Sequence, residues 1–230
     1  MFSQLADQGW KRMTRTVDLT SATSGELSFQ MSHDTELDWD YVIVEAHEVG
    51  TDQWTTLPDA NGHTQQGTGD SCAEGWVDIH PFVAHYQGAD CSPTGDTGTW
   101  HAASGGSGGW QEWSVDLSAY AGKQVELSIS YLTDWGTQGL GVFVDDTTVT
   151  LDGVPTAETS FEDGLGGWTT APAPEGSRET NNWTRTQKAF EEGAATATRD
   201  TVFTGFGAEG LTTAAMRNDF VARALDHLLD

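Results

Sequence analysis

The chain has 230 residues and a formal net charge of −25, from 35 Asp and Glu against 10 Lys and Arg. That balance argues against a nucleic-acid surface, which needs clustered basic side chains to meet phosphates, and against adhesion to anionic membranes. No run is long and apolar enough to span a bilayer, and the length suits one large β domain or one domain plus a smaller unit.

The opening MFSQLADQGWKRMTR lacks the apolar centre of a signal peptide. Residues 14–49 predict three strands, RTVDL, GELSFQMS and DYVIVEAHE, with Leu27, Phe29 and Met31 on one face of the second. In ELDWDYVIVEA, Val42 and Val44 alternate with Tyr41 and Ile43, and counting back by two places Asp40 on the Val42/Val44 face. A carboxylate turned towards a core is costly unless something pairs with it. GTDQWTTL then adds a turn and a short strand.

Residues 58–109 show no sustained period and hold His63, His80, His85, His101 and the two cysteines, Cys72 and Cys91. A loop this long in a compact domain is usually functional or tied. With no CxxC-type motif, the cysteine pair reads as a disulfide, two buried thiols being the alternative. Closing about 20 residues, such a bridge contributes roughly 3 kcal/mol in the chain-entropy model and implies an oxidising, extracellular setting. Gly105 to Gly109, GGSGG, closes the loop flexibly.

Strands resume in WQEWSVDLSAY, QVELSISYLTD and GVFVDDTTVTL. In the middle one Val125, Leu127, Ile129 and Tyr131 face one way and Glu126, Ser128 and Ser130 the other, as in a half-buried antiparallel strand. Short strands at regular spacing point to a β-sandwich over residues 14–152. A boundary is expected near 152–157, followed by a linker and irregular β segment over 153–190, where Asn182-Trp183-Thr184 fits a glycosylation sequon. Residues 191–230 read as two strands joined by Arg199-Asp200, then a helix capped by Thr212 or Thr213 in which Met216, Phe220, Ala224 and Leu228 step by four. This strand–strand–helix piece reads as the end of an α/β unit.

The stretches ELDWDYVIVEA…DQWTTL and WSVDLSAYAGKQVELSISYLTD…GLGVFVDDTTV resemble the MAM-like jelly-roll region of immune-inhibitor-A-type secreted metallopeptidases, a region also appended to some secreted bacterial zinc carboxypeptidases. The matching features are Asp40-Tyr41 opening a strand, Trp54 after a turn, Asp116-Leu117-Ser118 with Tyr120-Ala121-Gly122, and Val144-Asp145-Asp146. The tail, from FEDGLGGW to RALDHLL, resembles the C-terminal end of such carboxypeptidase precursors, and its last elements are also similar to those of amidotransferase-like α/β domains. The resemblance implies a mainly β chain, an antiparallel jelly-roll β-sandwich followed by the strand–strand–helix unit. It implies a C-terminal fragment and non-catalytic accessory region of a secreted zinc metallopeptidase, a zinc carboxypeptidase first of all, acting in substrate positioning or stabilisation. Zinc would belong to an N-terminal catalytic domain outside this chain, and the partners would be that domain and a polysaccharide or protein substrate. One feature departs from the pattern. These jelly rolls open with an FEDG-like strand, and here Phe161-Glu162-Asp163-Gly164 comes after the sandwich. Either a first strand is missing or the later element takes its place.

Jelly rolls of this type often hold a structural calcium ion, which takes six to eight oxygens. Counting by two puts Asp146 on the face of Val142 and Val144, so Asp40 and Asp146 are the expected ligands, with Glu36, Asp38 and Asp145 nearby. Strand-end acids reaching solvent, or a bulge that shifts the register, are the alternative. His33-Asp34-Thr35-Glu36 meets the HxxE spacing of zinc carboxypeptidases, with His101 and Glu112 as nominal completions, but a two-residue pattern arises by chance. His80, His85 and an acid form a second nominal zinc set. His47-Glu48 has no second His for HExxH, there is no GxSxG, and GFGAEG fits no phosphate loop, Glu209 there reading as a helix N-terminal charge. Ten tryptophans raise the alternative of a free-standing carbohydrate-binding module, with Trp76, Trp100, Trp110 and Trp135 offering ring faces to sugars, while Trp39, Trp54, Trp113, Trp168 and Trp183 pack a core.

Overall fold

The computed structural model describes residues 1–186, the backbone of 195–198 and 201–204, and residue 221. Residues 1–186 form one compact unit and 187–230 belong to a second. In the first unit the strands are β1 (Trp10–Asp18), β2 (Gly25–Asp34), β3 (Tyr41–Glu48), β4 (Thr55–Thr56), β5 (Gln111–Asp116), β6 (Gln124–Leu132), β7 (Gly141–Leu151), β8 (Val154–Thr159) and β9 (Thr169–Ala171). They make two antiparallel sheets, ordered β4-β3-β6-β1-β9 and β5-β2-β7-β8, packed as a β-sandwich. Among the described residues no helix is long and apolar enough to cross a membrane.

Period-2 patterning builds the core. Leu27, Phe29 and Met31 of β2 alternate with outward Glu26, Ser28 and Gln30, and Val125, Leu127, Ile129 and Tyr131 of β6 meet them from the other sheet. β3 and β6 depart from the half-buried pattern: both their faces are buried. The reason is the segment 58–109, which folds over the outer face of the first sheet and adds a second core of Trp10, Tyr41, Ile43, Trp54, Trp76, Tyr86, Trp100 and Leu132. That segment contains the five-residue helix α1 (Gly69–Ala73) and 3-10 turns at Trp76–Asp78 and Pro81–His85. It also covers the free edge of β5, where Ala60 N–H donates to Ser114 O at 2.7 Å and Asp59 Oδ1 accepts from Ser114 N–H at 2.8 Å. Its glycine-rich end is held rather than loose: Thr35 N–H donates to Gly105 O and Ser107 N–H to His33 O.

The disulfide is formed between Cys72 and Cys91, 19 residues apart. Replacing both cysteines with alanine is expected to cost about 3 kcal/mol in urea unfolding, with the folded spectrum of the sandwich retained; an unchanged midpoint would show that the bridge adds nothing to the packing beneath it.

The boundary expected near 152–157 falls inside the sandwich. Asp152 and Gly153 both have positive φ, 48° and 78°, the backbone of a two-residue type I′ hairpin. That turn sends the chain directly into β8, which pairs with β7. Phe161, Trp168 and Trp183 are then buried in the core, and β9 pairs with β1, Thr169 opposite Thr14. Phe161-Glu162-Asp163-Gly164 itself forms bends rather than a strand, with Phe161 buried in the core, and the late strand that joins β1 is β9.

The first residues lie beside the last of this unit. Phe2 N–H donates to Thr184 O at 2.8 Å, Thr184 N–H to Phe2 O at 2.9 Å, and Asn181 Nδ2 to Leu5 O at 2.8 Å. In the second unit, β10 (Ala195–Thr198) and β11 (Thr201–Thr204) pair as the predicted antiparallel hairpin. The predicted helix with Met216, Phe220, Ala224 and Leu228, its caps Thr212 and Thr213, and Glu209 lie outside the described residues.

Candidate functional site

Asp40 does face the core, at one end of the sandwich, and it is fully buried. Its Oδ2 accepts the Tyr131 hydroxyl at 2.9 Å and its Oδ1 the Asp134 N–H at 2.9 Å. A cation shares this end. Lys11 of β1 stands opposite Tyr131 of β6, is fully buried, donates to Gln4 O at 2.5 Å and lies 5.4 Å from the Tyr131 ring centre. Burial pushes Asp40 up to about 7, against the two hydrogen bonds that favour its carboxylate. Burial pushes Lys11 down to about 8, while the charge of Asp40 pulls it back up.

These shifts set a pH response of definite sign. Between 3.8 and about 7 the folded state keeps a proton on Asp40 that the unfolded chain has released, so this group's contribution to stability falls as pH rises. Between about 8 and 10.5 the folded state has lost the Lys11 proton that the unfolded chain retains, so that contribution rises with pH. Melting temperatures across pH 4–10, taken as the difference from wild type, should show Asp40→Asn gaining on wild type as pH rises towards 7 and Lys11→Met losing on it above pH 8. Parallel profiles for wild type and both variants would contradict this account.

The neighbouring acids brace the loop between β6 and β7. Asp34 Oδ2 accepts Leu140 N–H at 3.2 Å and Asp134 Oδ1 accepts Gly136 N–H at 3.0 Å. Glu36 is raised by burial and then by the charge of Asp134. Asp38 is exposed, with φ 67°, and donates its N–H to Ser104 Oγ at 2.9 Å. Asp145 accepts Asp146 N–H at 2.9 Å. Asp146 does not keep the inward register expected for it. The β2–β7 ladder shifts between Ser28 and Gln30, a bulge that takes Asp146 to φ 49° and leaves it exposed between the buried Val144 and Thr147. It lines an outer cleft with Thr148, Glu158 and Asp163. Asp40 has both oxygens engaged inside the sandwich while Asp146 opens outward on the other sheet, so the two do not form a common ligand set. Among the described residues no three His, Cys, Asp or Glu side chains converge as a metal site.

His33, His80 and His85 are held by groups of the fold. His80 is fully buried, its ring nitrogens 2.9 Å from Thr133 O and 3.1 Å from Ser177 Oγ, and burial pushes it down to about 4. It is therefore not the exposed residue that a loop position suggests. His33 Nδ1 is 2.8 Å from Gly105 O and His85 Nδ1 2.9 Å from Thr97 Oγ1.

A charged network that the sequence reading passed over joins the 58–109 segment to the first sheet. Glu45 is fully buried. Its Oε1 accepts Arg12 Nε at 3.0 Å and Ser130 Oγ at 2.6 Å, and its Oε2 accepts the Tyr86 hydroxyl at 2.5 Å. The Arg12 guanidinium lies 4.5 Å from the Trp54 ring centre. A signal was available: Glu45 shares a strand face with Tyr41 and Ile43, and a strand apolar on both faces buries any acid it carries.

Of the four tryptophans nominated for sugar contact, Trp76 and Trp100 are fully buried and pack edge-on or tilted against Tyr41, with centroids 5.4 and 5.3 Å away. They are core residues because the loop that bears them is itself a packed layer. Trp110 and Trp135 are 56% and 39% exposed. Beside Tyr41 opens a cavity of about 180 Å3, lined among others by Leu37, Asp38, Gln65, Ala103 and Ser104.

No protein-family model matches the chain. Over 154 residues, 66% of its length, it is 29% identical to the pre-pro-metalloprotease PrtV of Vibrio cholerae serotype O1, in strains M66-2 and ATCC 39315. Over 141 residues, 61% of its length, it is 27% identical to Immune inhibitor A of Bacillus thuringiensis subsp. alesti. These matches cover 13% and 15% of the relatives, so the chain spans a small part of the proteins it is similar to. Neither is named as a carboxypeptidase. The chain is a distant relative of one section of much larger bacterial proteins, among them a metalloprotease.

Proposed function

We propose that this chain is a non-catalytic accessory region of a secreted bacterial metallopeptidase of the immune-inhibitor-A type, acting on substrate placement or enzyme stability. The observation that carries the reading is the 154-residue stretch shared with a small portion of a pre-pro-metalloprotease. The Cys72–Cys91 bridge supports an oxidising, extracellular location. The histidines described above, held by backbone and hydroxyl groups inside the fold, support a structural rather than zinc-binding role for this part. Zinc would be resident in the catalytic part of the same protein, outside this chain.

The test is covalent linkage. Antibodies against this chain should capture, from the producing culture, a precursor whose tryptic peptides include a zinc-peptidase region. Capture of a full-length product without any peptidase region would overturn the reading, as would zinc-dependent protein hydrolysis by the purified chain alone.

A further inference from the structure

Of the nine large apolar side chains exposed among the described residues, five lie at one end of the sandwich: Leu5, Leu37, Trp110, Trp135 and Leu140. Three stretches bring them there, 34–40 after β2, 104–110 before β5 and 133–140 between β6 and β7. Asp34 bridges to Gly106, Leu140 N–H donates to Asp34 Oδ2 at 3.2 Å, and Asp134 N–H donates to Asp40 Oδ1 at 2.9 Å. A Cβ on Gly105 would stand 3.1 Å from Leu37, and one on Gly141 3.1 Å from Leu5, so both leucines lean on this end. Single exposed apolar residues are ordinary, but a group of them on one end of a domain marks a contact surface.

The surface is braced. Gln8 N–H donates to Asp134 O at 2.6 Å, Gly136 N–H to Asp134 Oδ1 at 3.0 Å, and Gln138 Nε2 to Asp7 Oδ1. A loop held at so many points keeps Trp135 and Leu140 turned out and loses little freedom on binding. Charge then selects the partner. The three stretches contain no Lys or Arg. Asp34 and Asp38 are exposed, Glu36 is half-buried, and His33 is buried with its Nδ1 2.8 Å from Gly105 O. One exposed cation, Arg178, borders the end in a cleft it shares with Asp7. An apolar centre within an acidic rim complements a surface that sets apolar side chains among Lys and Arg. The three leucines favour a polypeptide over a sugar, which stacks on aromatic faces.

We propose that this end of the sandwich binds a cationic polypeptide segment. Bulky apolar side chains of the segment cover Leu37, Trp135 and Leu140, and its Lys or Arg side chains meet Asp34, Glu36 and Asp38. In an accessory region the segment belongs to the protein substrate; that assignment alone rests on the metallopeptidase reading, and the binding is measured separately.

The experiment is an amide-resonance titration of the whole chain with acetyl-Lys-Leu-Lys-Leu-Lys-amide. Its serine counterpart keeps the charge without the apolar groups, and its glutamate counterpart keeps the leucines with the charge reversed. The first peptide should shift Leu37, Trp135 and Leu140 ahead of Glu26, Glu112 and Asp116 on the outer face of the second sheet. The serine peptide should bind about tenfold more weakly, and the glutamate peptide should not bind. Leu37→Ser and Trp135→Ala should each weaken the first peptide about tenfold, while Val154→Ser, at the opposite end, should leave it unchanged. Leu37→Ser keeps the test valid if Trp135→Ala fails to fold. No shifts at millimolar peptide, shifts spread evenly over the acidic surface, equal binding of the serine peptide, or tighter binding of cellohexaose would overturn the proposal. A failed titration leaves the accessory-region reading intact, because that reading stands on linkage to a peptidase.

Discussion

A chain ended after Asp152 is expected to lose cooperative folding, whereas residues 1–186 should melt as one unit. The shorter chain contains the whole region that sequence pattern assigns to the sandwich, but it lacks three large core side chains. Phe161, Trp168 and Trp183 are at most 5% exposed. Trp168 also donates to Thr147 Oγ1 at 2.9 Å and Trp183 to Lys11 O at 3.2 Å, so two buried indoles anchor the crossing between sheets. Removing one such aromatic typically costs about 3–5 kcal/mol, and a domain's whole stability is about 5–15 kcal/mol. Losing three, with β8 and β9, exceeds that margin. Near-ultraviolet circular dichroism and thermal unfolding of the two fragments decide the matter. A sharp transition in the 1–152 fragment would mean that the late aromatics only decorate a core that closes without them.

Glu45→Ala should be among the most damaging single substitutions in the second core, at about 3–5 kcal/mol. The carboxylate holds three donors at once, and its removal leaves a buried guanidinium and a buried phenol without their acceptor, while Ser130 keeps Ser128 Oγ at 2.9 Å. Arg12 is the decisive one, because one of its terminal nitrogens is already buried without a partner. Replacing both ends of the pair with apolar residues, Arg12→Met with Glu45→Leu, should recover most of the loss, since the penalty lies in the stranded charge rather than in the absence of a bond. Urea unfolding of the single and double variants measures this. If Glu45→Ala costs less than about 1 kcal/mol, the network is a passenger in an aromatic cluster that holds the segment unaided.

β2 and β5 were legible because each alternates over its whole length, while β6 alternates in sequence as far as Tyr131 but has its second face buried as well. The disulfide was legible because two cysteines in one long loop have few other uses. Asp40's inward direction was legible too, and so was the need for a partner. Identifying Lys11 as the cation at that end required the pairing of β1 with β6, which no local pattern encodes. Asp146 was misplaced because a bulge adds one residue and reverses every side chain beyond it. The 58–109 layer was hidden for a related reason: its aromatics have no period, and β3 looked half-buried until a second surface was laid over it. The Asp152-Gly153 turn carried a readable hairpin signal, but with Pro155 just beyond it DGVPTA was read as a boundary, whereas the chain continues directly into β8.

The seam between the first and last residues of the sandwich has a mechanical meaning. Residues 2–5 run antiparallel to 181–184, with Phe2 and Thr184 at the open end. Tension applied through those two points loads the bonds singly, beginning with the Phe2–Thr184 pair, as a zip is drawn. The seam is not the only hold on either side: Ser3 N–H donates to Val142 O and Val144 N–H to Met1 O, each at 2.9 Å, and Trp183 is seated in the core with its indole bonded to Lys11 O. Load entering at the first residues therefore passes into β7, and load entering at 184 passes through Trp183 into the core, so the seam spreads tension over both sheets.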